Sequence, residues 1–453
     1  MPTIWSKQAL TAEGWQRDVA VELDGAGRIA SVRAGQPESG ERVEILLPAP
    51  VNAHSHAFQR AMAGMTERRG PSGSDSFWTW RQLMFRFLDQ LTPEHIEAIA
   101  AFVQMEMLEA GYATNVEFHY LHHQPGGVPY DNIAETSARI AAAAAETGIG
   151  LTLLPVHYQY GGCDQRELGP GQIRFGNDPA RFARLHEGAG QAMAGLPGDT
   201  VLGVAPHSLR AVGKDDLAAT AALAEGPVHM HLAEQVAEVE EVEAAWGKRP
   251  VEWVLETGQV DERWCMIHCT QMEPHETEGL AATGAVAGLC PITESSLGDG
   301  IFDGVRWFDA GGRIAIGSDS NIRISLTEEL RTLEYSQRLR DRSRAALASA
   351  GQSTGRRIFE AMVSGGAQAA GRGVGGIAEG SWGDLLALDG RAVDLQGREG
   401  DAVLDAYIFA GDDRMVSRVW AAGRPVVEGG RHVKHAEIRD RYAATMAKLS
   451  AAL

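Results

Sequence analysis

The chain has 453 residues, enough to bury a large core and to form two or three domains or one large barrel with attachments. Its 44% hydrophobic and 22% charged residues are those of an ordinary globular protein. A net charge of −19, with no long run of one sign, argues against nucleic acid and anionic membranes as main partners, so an anionic substrate would need locally placed arginines.

The N-terminus, MPTIWSKQAL, has no basic region followed by an apolar stretch, so no signal peptide is expected. No segment approaches the apolar length of a membrane span, and no membrane association is expected. Cys163, Cys265, Cys269 and Cys290 form no C-x-x-C pair and read as reduced thiols of a cytoplasmic protein.

Residues 1–48 alternate apolar and polar side chains, as in DVAVELDGAGRIASVRAG, the pattern of a hairpin with Gly at its turn. The apolar run EILLPAPV then ends in His54 and His56. On a strand, residues i and i+2 point to the same side, so these two imidazoles can share one metal ion. RRGPSGSDSF (68–77) reads as a loop close to the site. Further apolar runs follow at 112–120, 150–158, 201–210, 227–234, 264–270, 285–294 and 313–320, separated by helix-like stretches rich in Ala, Glu and Leu. Near-continuous apolar strands alternating with helices indicate parallel strands buried on both faces, and about eight units is the count of a β/α barrel. GDLLALDG and RMVSRVWAAGRPVVEGGR again read as hairpin strands, and AEIRDRYAATMAKLSAAL as an amphipathic helix.

The expected fold is therefore α/β. A (β/α)8 barrel spans 49–373. A small β-sandwich is formed by both chain ends, 1–48 and 374–430, and a C-terminal helix covers 431–453.

Polar groups gather at the C-terminal ends of the expected strands, which in a barrel form one mouth. Candidate metal ligands there are His54, His56, His229, His231, His268 and Asp319. His229 and His231 share one strand, and His231 lies nearer the mouth. Nitrogen ligands with one carboxylate suit Zn²⁺ with an open position for water. A carboxylate on a helix N-terminus is common, so Glu234 also has a purely structural reading.

An H-x-H after strand one, a His after strands five and six and an Asp after strand eight resemble the amidohydrolase superfamily, zinc-dependent hydrolases and deaminases on a barrel flanked by a β-sandwich. The resemblance covers almost the whole chain. Within the superfamily, NAHSHAFQRAMAG, DSFWTWRQLMFR, EFHYLHH, HSLRAV, HMHLAEQ, LGDGIF and GSDSN are similar to the formimidoylglutamate deiminases, which act on N-formimino-L-glutamate in histidine degradation. The resemblance implies one zinc per chain on His54, His56, His231 and Asp319. It further implies Glu234 as proton shuttle, His268 as the group orienting or polarising water, and Asp319 as the acceptor of the water proton.

Superfamily members with two metals usually bridge them with a carboxylated lysine at the end of strand four. Here that strand ends APHSLR, and Lys214 comes later, which favours a mononuclear site. A dicarboxylate amidine needs arginines, because one arginine binds a carboxylate through two parallel hydrogen bonds. Arg81 and Arg210 are the candidates, and the resemblance adds Gln59, Tyr120 and His207. It also implies a homodimer. Two alternatives stay open: a zinc deaminase acting on an aminoheterocycle or another amidine, and a catalytically dead scaffold, which should have lost ligands. Two departures stand out. Gly383-Asp384-Leu385 replaces the usual Ala-Asp-Leu, and Asn321 follows Ser320 with no evident role.

Overall fold

The computed structural model describes residues 2–67 and 77–452, with side chains for all of these except 77–82 and 452. The expected loop at 68–77 lies outside the described residues, apart from the backbone of Phe77, which opens the helix Phe77–Leu88.

Eight parallel strand units alternate with helices. They are Val51–Ser55, Thr114–His119, Gly150–His157, the split unit Val201–Leu202 with Ala205–Pro206, Val228–Leu232, Trp264–His268, Val286–Leu289 and Arg313–Ile316. Units one to four pair in sequence, and so do units five to eight. Two single bridges join the halves into a ring, Val204 with Val228 and Ser55 with Asp319. Strands two, three, five, six and seven are buried at every position, as parallel strands covered on both faces are.

Local chemistry fixes where the intervening helices start. Pro93, Pro179, Pro250, Pro274 and Pro291 each occupy the first helical position, where the missing N–H is no loss. Thr92 and Asp178 cap two of these helices by accepting from the amides of His95 and Arg181.

Both chain ends meet in one eight-stranded sheet. Leu385–Leu388 pairs antiparallel with Glu41–Pro48, which pairs in parallel with Thr3–Thr11. Val19, Val21, Ile29, Leu46, Leu385 and Trp420 share a core separate from that of the barrel. The Gly383 departure has a steric reason. A Cβ there would lie 2.8 Å from the Leu23 side chain and 3.0 Å from the Gly27 carbonyl oxygen. Asp384 ties the sheet to the barrel by accepting from Arg372 at 2.7 Å and from the Ala422 amide at 2.7 Å. The helix His435–Ala452 returns to the barrel, where Tyr442 stacks on Phe102 at 3.9 Å. Among the described residues, no helix is long and apolar enough to cross a membrane.

Strands one and eight meet in a close seam near the mouth. The Asp319 amide donates to the His54 carbonyl, and the His56 amide donates to the Asp319 carbonyl, both at 2.9 Å. A Cβ on Gly317 would lie 2.6 Å from the His54 nitrogen and 2.8 Å from its oxygen. Backbone atoms cannot yield cheaply, so Gly317→Ala should destabilise the fold by about 1–3 kcal/mol, read as a lower denaturant midpoint. An unchanged midpoint would mean the seam is looser than this geometry implies.

Candidate metal centre and active site

The seam turns its side chains inward. His54 Nε2 and His56 Nε2 lie 3.5 and 3.2 Å from Asp319 Oδ1, and His54 Nε2 lies 3.1 Å from His231 Nε2. His268 Nε2 lies 3.8 Å from both Asp319 Oδ2 and Glu234 Oε1. Ligand atoms of His54, His231, His268 and Asp319 all fall within 4.8 Å of one another. His56 joins this group through Asp319. His229 does not, because its Nε2 is bonded to the Ala369 carbonyl at 2.7 Å. His119 and His157 also end strands but bond to Thr136 and Thr220 in the helix layer.

Hydrogen bonds decide which ring nitrogens face the centre. His56 Nδ1 donates to the Phe118 carbonyl at 2.9 Å, and His231 Nδ1 donates to the His207 carbonyl at 3.0 Å. A carbonyl only accepts, so each Nδ1 carries a proton and each neutral ring presents an Nε2 lone pair inward. Burial, the largest effect, lowers the pKa of His54 and His231 well below the usual histidine value, and neighbouring imidazoles push the same way. Burial also lowers His56, although Asp319 opposes it. Inward lone pairs beside a carboxylate repel one another unless a cation lies among them. The donor set therefore fits a divalent metal ion.

His268 is different. Burial alone would depress it, but Glu234, Glu294 and Asp319 together raise it well above the usual value. Its Nδ1 lies 3.3 Å from Glu294 Oε1. A protonated imidazole offers no lone pair, so His56 is a better ligand candidate than His268.

Burial first, then Glu238 and Asp319 against the opposing pull of His268, raises Glu234 to about 7. Glu238 accepts from the amides of Ala233 and Glu234 at 3.2 and 3.0 Å, so it, rather than Glu234, satisfies this turn. Glu234 instead faces the cavity. Several mouth residues hold left-handed backbone without being glycine: Ala233 (φ 52°), His268 (φ 73°), Asp319 (φ 47°) and Asn321 (φ 53°). Such conformations cost of order 1–3 kcal/mol each and persist where surrounding structure enforces them.

A cavity opens onto this centre. Gln59, Tyr120, His207 and Arg210 line it, and Gln59 Nε2 donates to the Tyr120 hydroxyl at 2.7 Å. Arg81 lies on the helix Phe77–Leu88, and its side chain is outside the described residues. No lysine lines the cavity among the described residues, and Lys214 instead sits 4.7 Å over the Trp246 ring. Sequence reasoning missed the walls formed by Met84, Tyr158, Phe175 and Leu297. The ending His157-Tyr158 was a usable signal for Tyr158, whereas Phe175 comes from a loop with no periodicity.

Asn321 now has a structural role. It is fully buried, accepts from Ser318 Oγ at 2.6 Å, and donates to Ser55 Oγ and the His56 carbonyl at 3.1 and 3.2 Å. Asn52 donates to Ser318 Oγ at 2.8 Å and completes a chain across the seam. Removing one member leaves buried groups unpaired, at about 1–3 kcal/mol. Asn321→Ala should therefore speed metal loss to a chelator by about tenfold. An unchanged rate of loss would separate this network from the metal centre.

Comparison with known proteins agrees with this arrangement. The amidohydrolase family model matches residues 45–426, and the model of the formimidoylglutamate deiminase HutF N-terminal domain matches residues 1–43. A formimidoylglutamate deiminase of Pseudomonas aeruginosa is 46% identical, covering 95% of this chain and 96% of that protein. A crystal structure of an amidohydrolase from Brucella melitensis superposes with a TM-score of 0.96 at 47% identity, covering 99% of this chain and 100% of that one. A crystal structure of an adenosine deaminase from Xanthomonas campestris with bound zinc shares the fold, with a TM-score of 0.82 at 22% identity over 99% of this chain and 98% of that one. With a matched span that covers the whole barrel, the chain belongs to the amidohydrolase family.

Proposed function

We propose that this enzyme hydrolyses N-formimino-L-glutamate to N-formyl-L-glutamate and ammonia, the deiminating step of histidine degradation. The observation that carries this reading is the 46% identity, over nearly the full length of both chains, to the Pseudomonas aeruginosa formimidoylglutamate deiminase. The same reading makes the protein a cytoplasmic homodimer that takes a small dicarboxylate amidine.

We assign His54, His56, His231 and Asp319 as ligands of one zinc ion per chain. When bound, such an ion supplies Lewis acidity, which brings the pKa of water toward about 7. Asp319 accepts the proton that water loses as it adds to the formimino carbon. Glu234, protonated up to about pH 7, gives its proton to the nitrogen that leaves as ammonia. Cationic His268, between Glu234 and Asp319, stabilises negative charge that develops on the oxygen. Arg210 and Arg81 each hold one substrate carboxylate, while Tyr120, Gln59 and His207 orient the chain between them. A water oxygen enters as the C=N bond is replaced by C=O, and one ammonia leaves.

A second reading, deamination of an aminoheterocycle, draws on the 25% identity over 94% of the chain to a 5'-deoxyadenosine deaminase of Methanopyrus kandleri. A neutral heterocycle carries no carboxylate for Arg81 and Arg210 to recognise.

Three outcomes follow from these assignments. Arg210→Met should raise KM about tenfold to hundredfold with metal content unchanged; parallel loss of metal would overturn its role as a substrate contact. Glu234 must be protonated to act as the acid, so kcat should fall as pH rises through about 7, and Glu234→Gln should lower kcat about 10²–10⁴-fold. A flat profile from pH 6 to 8 would remove Glu234 as the acid. The substrate assignment itself is tested by ammonia release from N-formimino-L-glutamate, with N-formyl-L-glutamate identified as co-product. Turnover of 5'-deoxyadenosine with none of the amidine would select the second reading.

A further inference from the structure

Arg174 is 1% exposed and lies behind the cavity wall without lining it. Its guanidinium donates to three main-chain carbonyls, Nε to His123 at 2.7 Å, one terminal nitrogen to Leu91 at 3.1 Å and the other to Leu88, and it also hydrogen-bonds the Tyr130 side chain. Its own carbonyl accepts from the amides of His122 and His123 at 3.2 and 2.9 Å. These partners belong to three separate pieces of the wall. Leu88 ends the helix that carries Arg81 and places Met84 in the cavity, and Leu91 follows it in the turn beyond. His122 and His123 follow Tyr120 at the end of strand two. Arg174 itself precedes Phe175, which faces the cavity from the loop after strand three.

Few side chains could make this joint. The guanidinium is a rigid planar fork whose donors reach several acceptors at fixed angles, whereas lysine is a single point charge. A cation at the C-terminal end of the Phe77–Leu88 helix also meets the negative end of its dipole. Phe175 and Tyr158 belong to the same wall, since the Asn177 amide donates to the Tyr158 carbonyl at 2.9 Å and Gln172 donates to the Tyr158 hydroxyl at 2.9 Å.

We infer that Arg174 is a positioning residue for substrate recognition: it locks the Arg81 helix, the Tyr120 strand end and the Phe175 loop together, and so sets affinity for the dicarboxylate without touching it. This rests on the assignment of Arg81 to a substrate carboxylate. The main-chain hydrogen bonds of the Arg174 guanidinium reach none of the four residues assigned to the metal.

The test compares wild type, Arg174→Lys and Arg174→Met, all zinc-loaded, on N-formimino-L-glutamate and on its two monocarboxylate analogues, one lacking the α- and one the γ-carboxylate. Both variants should keep their zinc and a kcat within about threefold, while KM for the dicarboxylate rises about tenfold or more. The analogue that lacks the carboxylate held by Arg81 should show no such rise. Equal rises for all three substrates, or an unchanged KM, would overturn the inference. Hydrogen exchange without substrate gives a second readout: amides of 83–91 and 120–123 should exchange faster in both variants. If Arg174→Met does not fold, Arg174→Lys carries both measurements. Wild type that fails to turn over N-formimino-L-glutamate counts against the substrate reading, whereas unchanged exchange in Arg174→Lys counts against the joint itself.

Discussion

The structure depends on one joint, the pairing of strand one with strand eight around His54, His56 and Asp319. The same residues close the barrel with their backbones and build the metal centre with their side chains. Ring closure therefore sets the spacing of three candidate ligands directly. Gly317 permits the approach because it has no Cβ, and the Asn52–Ser318–Asn321 chain holds it from the inside. Stability and chemistry are linked here, and strained backbone at Asp319 and Asn321 is tolerated because hydrogen bonds on both sides enforce it.

Burial then sorts groups of one kind into different roles. Three imidazoles are driven toward neutrality, and two of them, His56 and His231, present Nε2 lone pairs inward, while surrounding carboxylates raise the pKa of His268. Glu234 is likewise raised, to about 7, at the edge of the cavity. The roles proposed for these residues thus draw on a few residue types within a few ångströms.

The clustered histidines and aspartate were legible in the sequence because they follow strand periodicity. H-x-H, H-x-H and a terminal Asp stand out against continuous apolar runs, and the eight runs themselves announce the barrel. The resemblance in HSHAFQRAMAG and GSDSN carried the reading further than the histidines alone. What stayed hidden obeys no local period. Asn321 and Ser318 look like loop polar residues until the seam buries them. Arg174 bonds to carbonyls from 51 to 86 residues away, so no spacing could reveal it. The division of labour between His56 and His268 depends on neighbours brought together only by the closed ring.

The most direct test of the central claim is a zinc titration of metal-free protein, following ammonia release from N-formimino-L-glutamate. Activity should rise linearly and saturate at one zinc per chain, as expected for a single ion held by the seam and His231. Saturation at two ions per chain, or full activity without added metal, would contradict a mononuclear centre built on the closing seam.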